Sequence, residues 1–334
     1  MRPEWAQATV LSRSEDPVKQ EEALRILLEG IMKHKISRAI LICLLGIGLG
    51  HAANPAAGSQ LLVQTDWLAA HLSDANVVVL HVAPSRAAYE AGHIPGARFL
   101  PVSDVAVTRN GVPNQLPASD VLKSAFERVG VSNKSHVILY GDMLGLFAAR
   151  AYFALDYLGH GDHAALLDGG LEKWKAEHRA VSTVLPAVQA GSLTVKPHSQ
   201  LITDLPSMQQ LAGDKKVVLI DARPPEEYSG TRPGDGVPRA GHIPGARNVF
   251  WLENLVSKDN PVLKPLPEIQ AKYEAAGARP GARVVVYCRT GIQASHDYFT
   301  LKLLGYRPVL YEGSFFEWSN APGTAVEKGT AVAP

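Results

Sequence analysis

Short runs of β-branched and aliphatic residues recur along the chain: Val77 to Val82, Val137 to Tyr140, Val217 to Leu219 and Val284 to Tyr287. Between them lie longer stretches with helical periodicity, such as Phe147 to Leu158 and Ala294 to Leu304. Apolar runs without a polar face suit parallel strands covered on both sides. Their alternation with helices predicts an α/β fold built on mainly parallel sheets flanked by helices. The ligand crevice of such a sheet lies at the carboxyl ends of its strands, which is where Tyr287 hands over to Cys288.

The pattern occurs twice. Ala-Gly-His-Ile-Pro-Gly-Ala-Arg at residues 91–98 returns unchanged at 240–247. Val78-Val79-Leu80 is matched to Val217-Val218-Leu219, Tyr89 to Tyr228, and Val137 to Tyr140 to Val284 to Tyr287. Asp168-Gly169-Gly170 with Trp174 answers Glu312-Gly313-Ser314 with Trp318. Solenoid repeats run to roughly 20–50 residues, so a period this long means two homologous domains. They are placed at 60–182 and 200–322, with the Pro- and Gly-containing stretch 183–199 as linker and 323–334 as a tail. The length of 334 residues and 46% hydrophobic content suit two such cores, and 33 basic against 32 acidic residues exclude a nucleic-acid footprint.

Lys33, Lys35 and Arg38 precede an apolar run from Ala39 to Leu49, and Gly50 and Ala52 follow. This reads as a secretory signal cleaved after Ala52 or Ala53, with export to a periplasm expected and an uncleaved membrane anchor as the alternative. Residues 1–53 are then extension and signal, and Met32 is a plausible true start. Cys43 follows Ile42 rather than a small residue, which argues against a lipid anchor. Cleavage would remove Cys43 and leave Cys288 as a lone thiol in an oxidising compartment.

From Val284 the sequence reads as strand, tight loop and helix, with Cys288 the first loop residue. Amides of Arg289, Thr290, Gly291, Ile292 and Gln293 at a helix N-terminus, together with the Arg289 charge, are expected to favour a thiolate and to cradle an anion. Gly291 would take any positive φ the loop needs.

This cysteine-headed loop, the duplicated Gly-His-Ile-Pro-Gly-Ala and Gly-Ser-Phe-Phe-Glu-Trp at 313–318 resemble the tandem-domain rhodaneses and mercaptopyruvate sulfurtransferases, over residues 60 to 320. The resemblance implies two rhodanese modules with the site in the second, near its interface with the first. It also implies a sulfurtransferase that carries sulfur on Cys288 as a persulfide, by ping-pong kinetics and without metal or organic cofactor. A small anionic sulfur donor and a cyanide or thiol acceptor are the expected partners, with no nucleic acid and no stable membrane association once the signal is cleaved.

The first module has Tyr140-Gly141-Asp142 where the second has Tyr287-Cys288-Arg289, so it is read as structural. Shared residues, His93 with His242 and Trp174 with Trp318, are read as architecture. Asp221 and Arg223, set opposite Val82 and Pro84, are read as a salt bridge that braces the site. Relatives using thiosulfate carry two basic loop residues, whereas those using mercaptopyruvate carry glycine and then a hydroxyl. Arg289-Thr290 mixes the two, and thiosulfate is favoured through Arg289, with 3-mercaptopyruvate as the alternative. Glu227 stands where the family tends to have arginine, and Arg232 and Arg239 are the candidates to restore that charge. A related phosphatase would need arginine six positions after the cysteine, where this chain has Ala294. A non-catalytic binding module is the rival from another class.

Overall fold

The computed structural model describes residues 61–329, so the predicted signal segment, Met32, Cys43 and the last residues lie outside the described residues. The first module runs through β1 (Leu62–Val63), α1 (Thr65–His71), β2 (Val77–Ala83), α2 (Arg86–Ala91), β3 (Arg98–Pro101), β4 (Val107–Arg109) and β5 (Val112–Gln115). It ends with α3 (Ser119–Arg128), β6 (His136–Gly141), α4 (Leu146–Tyr157), β7 (Ala164–Leu167) and α5 (Gly170–Ala176). The second comprises β8 (Ile202–Thr203), α6 (Leu205–Leu211), β9 (Val217–Asp221), α7 (Pro225–Ser229), β10 (Arg247–Asn248), α8 (Leu266–Ala275), β11 (Arg283–Tyr287), α9 (Ile292–Leu303), β12 (Pro308–Tyr311) and α10 (Ser314–Asn320).

Each module has a five-stranded parallel sheet, in the order β1-β7-β6-β2-β3 and β8-β12-β11-β9-β10, so the two match strand for strand. The strand register corrects the sequence matching by one residue. His81 pairs with Tyr140 and Asp221 with Tyr287, so Asp221 corresponds to His81 and Arg223 to Ala83, not to Val82 and Pro84. The slip arose because runs of valine align equally well in either frame, and only hydrogen-bond register separates them.

Helices α4 and α9 are buried on nearly every face, from Ala148 to Asp156 and from Ala294 to Leu301. Each lies between its own sheet and the other module, so its polar side chains are buried along with its apolar ones. Tyr152 meets Phe299 edge-on at 4.9 Å, and Phe153 meets Tyr298 at 4.8 Å, a reciprocal pairing in which Tyr152 is the counterpart of Tyr298 and Phe153 of Phe299. Each pair contributes ~0.5–1.5 kcal/mol beyond the area it buries. The Tyr298 hydroxyl donates to Asp156 at 2.7 Å and Lys302 pairs with the same carboxylate at 3.1 Å. One continuous apolar core, Cys288 included, therefore spans both modules.

The stretch expected to be a linker is strapped along the first module. The Gly191, Lys196 and His198 amides donate to Glu127, Leu158 and Tyr157 carbonyls. The repeated Gly-His-Ile-Pro motif does the same work twice. His93 and His242 stack on Tyr89 and Tyr228 at 4.0 and 3.9 Å, and their Nδ1 atoms lie 2.8 and 2.9 Å from those tyrosines' carbonyls. Trp174 and Trp318 likewise donate to Ala180 and Ala325 carbonyls.

Candidate active site

Strand β11 leaves the sheet at Cys288, and the loop Cys288-Arg289-Thr290-Gly291 delivers the chain to α9. Gly291 makes the turn at φ +94°, a left-handed conformation that costs a side-chain-bearing residue about 1 kcal/mol or more. Its amide donates to Cys288 Sγ at 3.1 Å. The amides of Ala294 and Thr290 also favour negative charge on the sulfur. Ser295 closes the turn by donating its hydroxyl to the Gly291 carbonyl at 2.9 Å.

Helix α10 holds the loop from the other side, with the Phe315 and Phe316 amides donating to the Cys288 and Arg289 carbonyls, both at 2.9 Å. Ser314 accepts from the Cys288 amide at 3.3 Å. It sits at φ +53°, where the first module has Gly170 at +55°. The first module thus fills the left-handed position with the residue that tolerates it best. The second accepts strain to place a hydroxyl beside the cysteine.

Cys288 is 1% exposed, and burial pushes its thiol above the ordinary cysteine range. The Ala294, Thr290 and Gly291 amides pull the other way, and the Asp221 charge adds to the upward push. The expectation of a thiolate favoured at rest is therefore corrected: loss of hydration outweighs the amide dipoles. Arg289 does not tip the balance. Its Nη1 lies 3.9 Å from Glu227 and 3.8 Å from Asp235, and the side chain is about one-third exposed.

The insertion before the second Gly-His-Ile-Pro does fold back over the loop, but it brings Gly234 and Asp235 against Arg289 rather than a further cation. Arg232 is exposed, with Glu226 its nearest acid at 3.9 Å. Its backbone amide caps α7 at the Glu226 carbonyl, which turns the side chain outward. Arg239 is also corrected. It donates to the Trp318, Ser319, Ala321 and Thr324 carbonyls, because the end of α10 leaves carbonyls without intrahelical partners. Ile292 and Gln293 form the half-buried first turn of α9.

Asp221 and Arg223 form a fully buried bidentate ion pair, with Nε to Oδ1 at 2.9 Å and Nη2 to Oδ2 at 2.5 Å. Arg223 also donates to the Gly241 carbonyl at 2.8 Å and lies 4.0 Å from the centroid of Phe315. The pair thus ties the end of β9 to the second Gly-His-Ile-Pro turn and to α10.

Several residues that the sequence did not single out complete the site. From the first module, Asn114 donates to the Thr290 hydroxyl at 2.9 Å. Glu312, just before α10, accepts from the Leu116 amide and from Arg150 at 2.8 Å, so it clasps both the β4–β5 hairpin and α4. The signals were present: Glu312 is the counterpart of Asp168, which accepts from the Leu263 amide at 3.0 Å by the mirrored contact. Ala294, in the first turn of α9, has no side chain that could clamp a phosphate, and its amide favours negative charge on the sulfur.

Comparison with known proteins agrees with this geometry. The rhodanese-like domain family matches residues 64–177 and again 204–321. The chain therefore belongs to the rhodanese family, as a tandem of two modules. Among curated relatives, it is 36% identical to the sulfur carrier protein TtuD of Thermus thermophilus, with 81% of this chain and 97% of that protein covered. It is also 36% identical to a probable 3-mercaptopyruvate sulfurtransferase of Pseudomonas aeruginosa, over 81% of this chain and 99% of that one. A thiosulfate sulfurtransferase of the same organism is 32% identical, over 80% and 97%. Among solved structures, the anaerobic ergothioneine biosynthesis enzyme of Chlorobium limicola superposes with a TM-score of 0.72 at 25% identity, covering 81% of this chain and 70% of that one. The protein is a sulfurtransferase of the rhodanese type.

Proposed function

We propose that sulfur passes through a persulfide on Cys288, taken from thiosulfate and given to cyanide or a thiol. The observation that carries this reading is the buried sulfur at the head of the loop, held by the Gly291 amide at 3.1 Å with the Thr290 and Ala294 amides favouring its charged form. A cradle of that kind accepts a sulfur anion without water. The Cys288 thiolate attacks the outer sulfur of thiosulfate, the sulfur–sulfur bond breaks, and sulfite leaves with the electron pair. The acceptor then attacks the outer sulfur of the persulfide and returns the thiolate.

Thiosulfate is the donor that Arg289 would meet. The second reading, 3-mercaptopyruvate, is favoured by the engagement of Arg289 with Glu227 and Asp235, which offsets the charge a dianion would seek. Export to a periplasm belongs to this proposal too, resting on the sequence at residues 33–53. Intact mass measured after each donor alone tests the reading. A gain of one sulfur that is absent in Cys288→Ser is expected, and the donor giving the higher kcat/KM names the activity. No gain with either donor would leave a binding module or a different donor.

A further inference from the structure

The first module lacks a nucleophile, yet it sends one charged side chain to the back of the Cys288 loop. Arg150, in α4, is completely buried. Its Nε donates to the Val105 carbonyl at 3.2 Å, and its Nη2 donates to the Asn114 carbonyl at 2.6 Å and to Glu312 at 2.8 Å. Among the described residues Nη1 has no hydrogen-bond partner, and it is shut off from solvent. That nitrogen faces Gly291, lying 3.7 Å from where a β-carbon on that residue would stand, and the Gly291 amide is the one that donates to Sγ. A buried donor left open is costly, about 1–3 kcal/mol, unless something occupies it during function.

The other arginines near the sulfur already face carboxylates. Asp221 is paired with Arg223, Arg289 faces Glu227 and Asp235, and Tyr287 is held neutral by burial. Glu312 meets Arg150 on one side only. The remaining donor capacity among these groups is Arg150 Nη1, and negative charge on Cys288 would favour the charged guanidinium.

We propose that Arg150, supplied by the cysteine-free module, is a positioning residue of the Cys288 site: it props the Gly291 turn from behind and stabilises negative charge on the cysteine sulfur. This rests on Cys288 being the reactive thiol. It gives the first module a part in the chemistry, and it accounts for a full arginine, rather than an apolar residue, at the centre of the seam between modules. Asn114 and Glu312 fix the guanidinium so that it need not reorganise as charge appears on the sulfur.

The test is the pH dependence of Cys288 alkylation by iodoacetamide in the full chain. Glu312, Asp221, Arg223, Arg289, Glu227 and Asp235 stay in place when Arg150 is changed. Arg150→Met should raise the midpoint of the alkylation rate by about one pH unit, whereas Arg150→Lys, which loses the same forked contacts but keeps the charge, should restore most of that shift. A folded Arg150→Met protein with the native midpoint would overturn the proposal and leave Arg150 a strut. Should Arg150→Met fail to fold, Glu312→Gln decides. Removing the counter-charge should lower the midpoint, and an unmoved midpoint would overturn the proposal equally. The persulfide reading fails separately: no sulfur mass gain in the native chain would sink it, whatever the alkylation midpoints do.

Discussion

At the end of β11 the chain leaves the sheet at Cys288, whereas at the end of β6 it stays in register for one more residue, and Gly141 pairs with Val82. A β-carbon at Gly141 would stand 2.2 Å from the Val82 carbonyl oxygen, inside any permitted contact. The following loop is also one residue longer, and Met143 and Leu144 take φ +56° and +57° before Gly145 opens α4. The two loops therefore differ in backbone path as well as in the presence of sulfur. Beneath them, the second module has the Asp221–Arg223 ion pair. The first has His81, kept neutral by burial, against a partly exposed Asp142 at 3.1 Å. One copy of the fold carries a buried ion pair beneath its loop, and the other carries its cost as left-handed backbone at Met143 and Leu144.

The largest expected effect is at the sulfur. Cys288→Ser should lower transfer by at least ~10³-fold with the melting temperature unchanged within a few degrees, since oxygen has similar size but cannot carry sulfane sulfur. Retained turnover would remove Cys288 from the mechanism. Next is the brace: Arg223→Ala leaves the Asp221 carboxylate buried and unpaired and should cost ~3–5 kcal/mol in urea unfolding. Asp142→Asn, at the first module's His81–Asp142 contact, should cost less than ~1 kcal/mol, since Asp142 is partly exposed. Equal costs would mean that the second module's pair has no special role.

Third, Gly141→Cys should destabilise by ~1–3 kcal/mol and gain no sulfur mass on the new thiol, because the backbone must move before any side chain fits. A second persulfide on that variant would show that residue identity alone separates the loops. The smallest effect is at the mouth. Removing the carboxylate charge beside Arg289 by Glu227→Gln should lower the KM for thiosulfate roughly five-fold, from ~1 kcal/mol of relieved repulsion. A KM that stays constant while kcat changes would place Glu227 in the framework rather than in donor binding. Turnover of the native chain should rise from neutral to alkaline pH, since a thiol held above its ordinary range yields more thiolate only as the pH climbs.

The sheets, the duplication and the cysteine loop were legible because each leaves a local trace: apolar runs, an eight-residue repeat, and a strand-loop-helix pattern with a glycine at the turn. The Asp221–Arg223 brace was legible too, since residues two apart at a strand end have few other partners. The positions of Arg232 and Arg239 were not, because a guanidinium on a loop finds whichever carbonyls or water the tertiary fold offers. Arg150, Asn114 and Glu312 were missed for a related reason. They act across the seam between modules, at sequence separations of 162 between Arg150 and Glu312 and 176 between Asn114 and Thr290, and no periodicity records such a meeting. The rise in the Cys288 thiol was misjudged because the loop reveals its amides but not how completely the surrounding core excludes water.

The pairing of Tyr152 with Phe299 and of Phe153 with Tyr298 means that α4 and α9 are each the other's apolar cover. Neither module could be opened alone without wetting the face that the other shields. Calorimetry of the pair should thus show a single cooperative melting step rather than two, and a second module released from its partner would expose a sticky aromatic flank. Duplication here has produced one folding unit, in which the cysteine-free copy covers the aromatic flank of its sister.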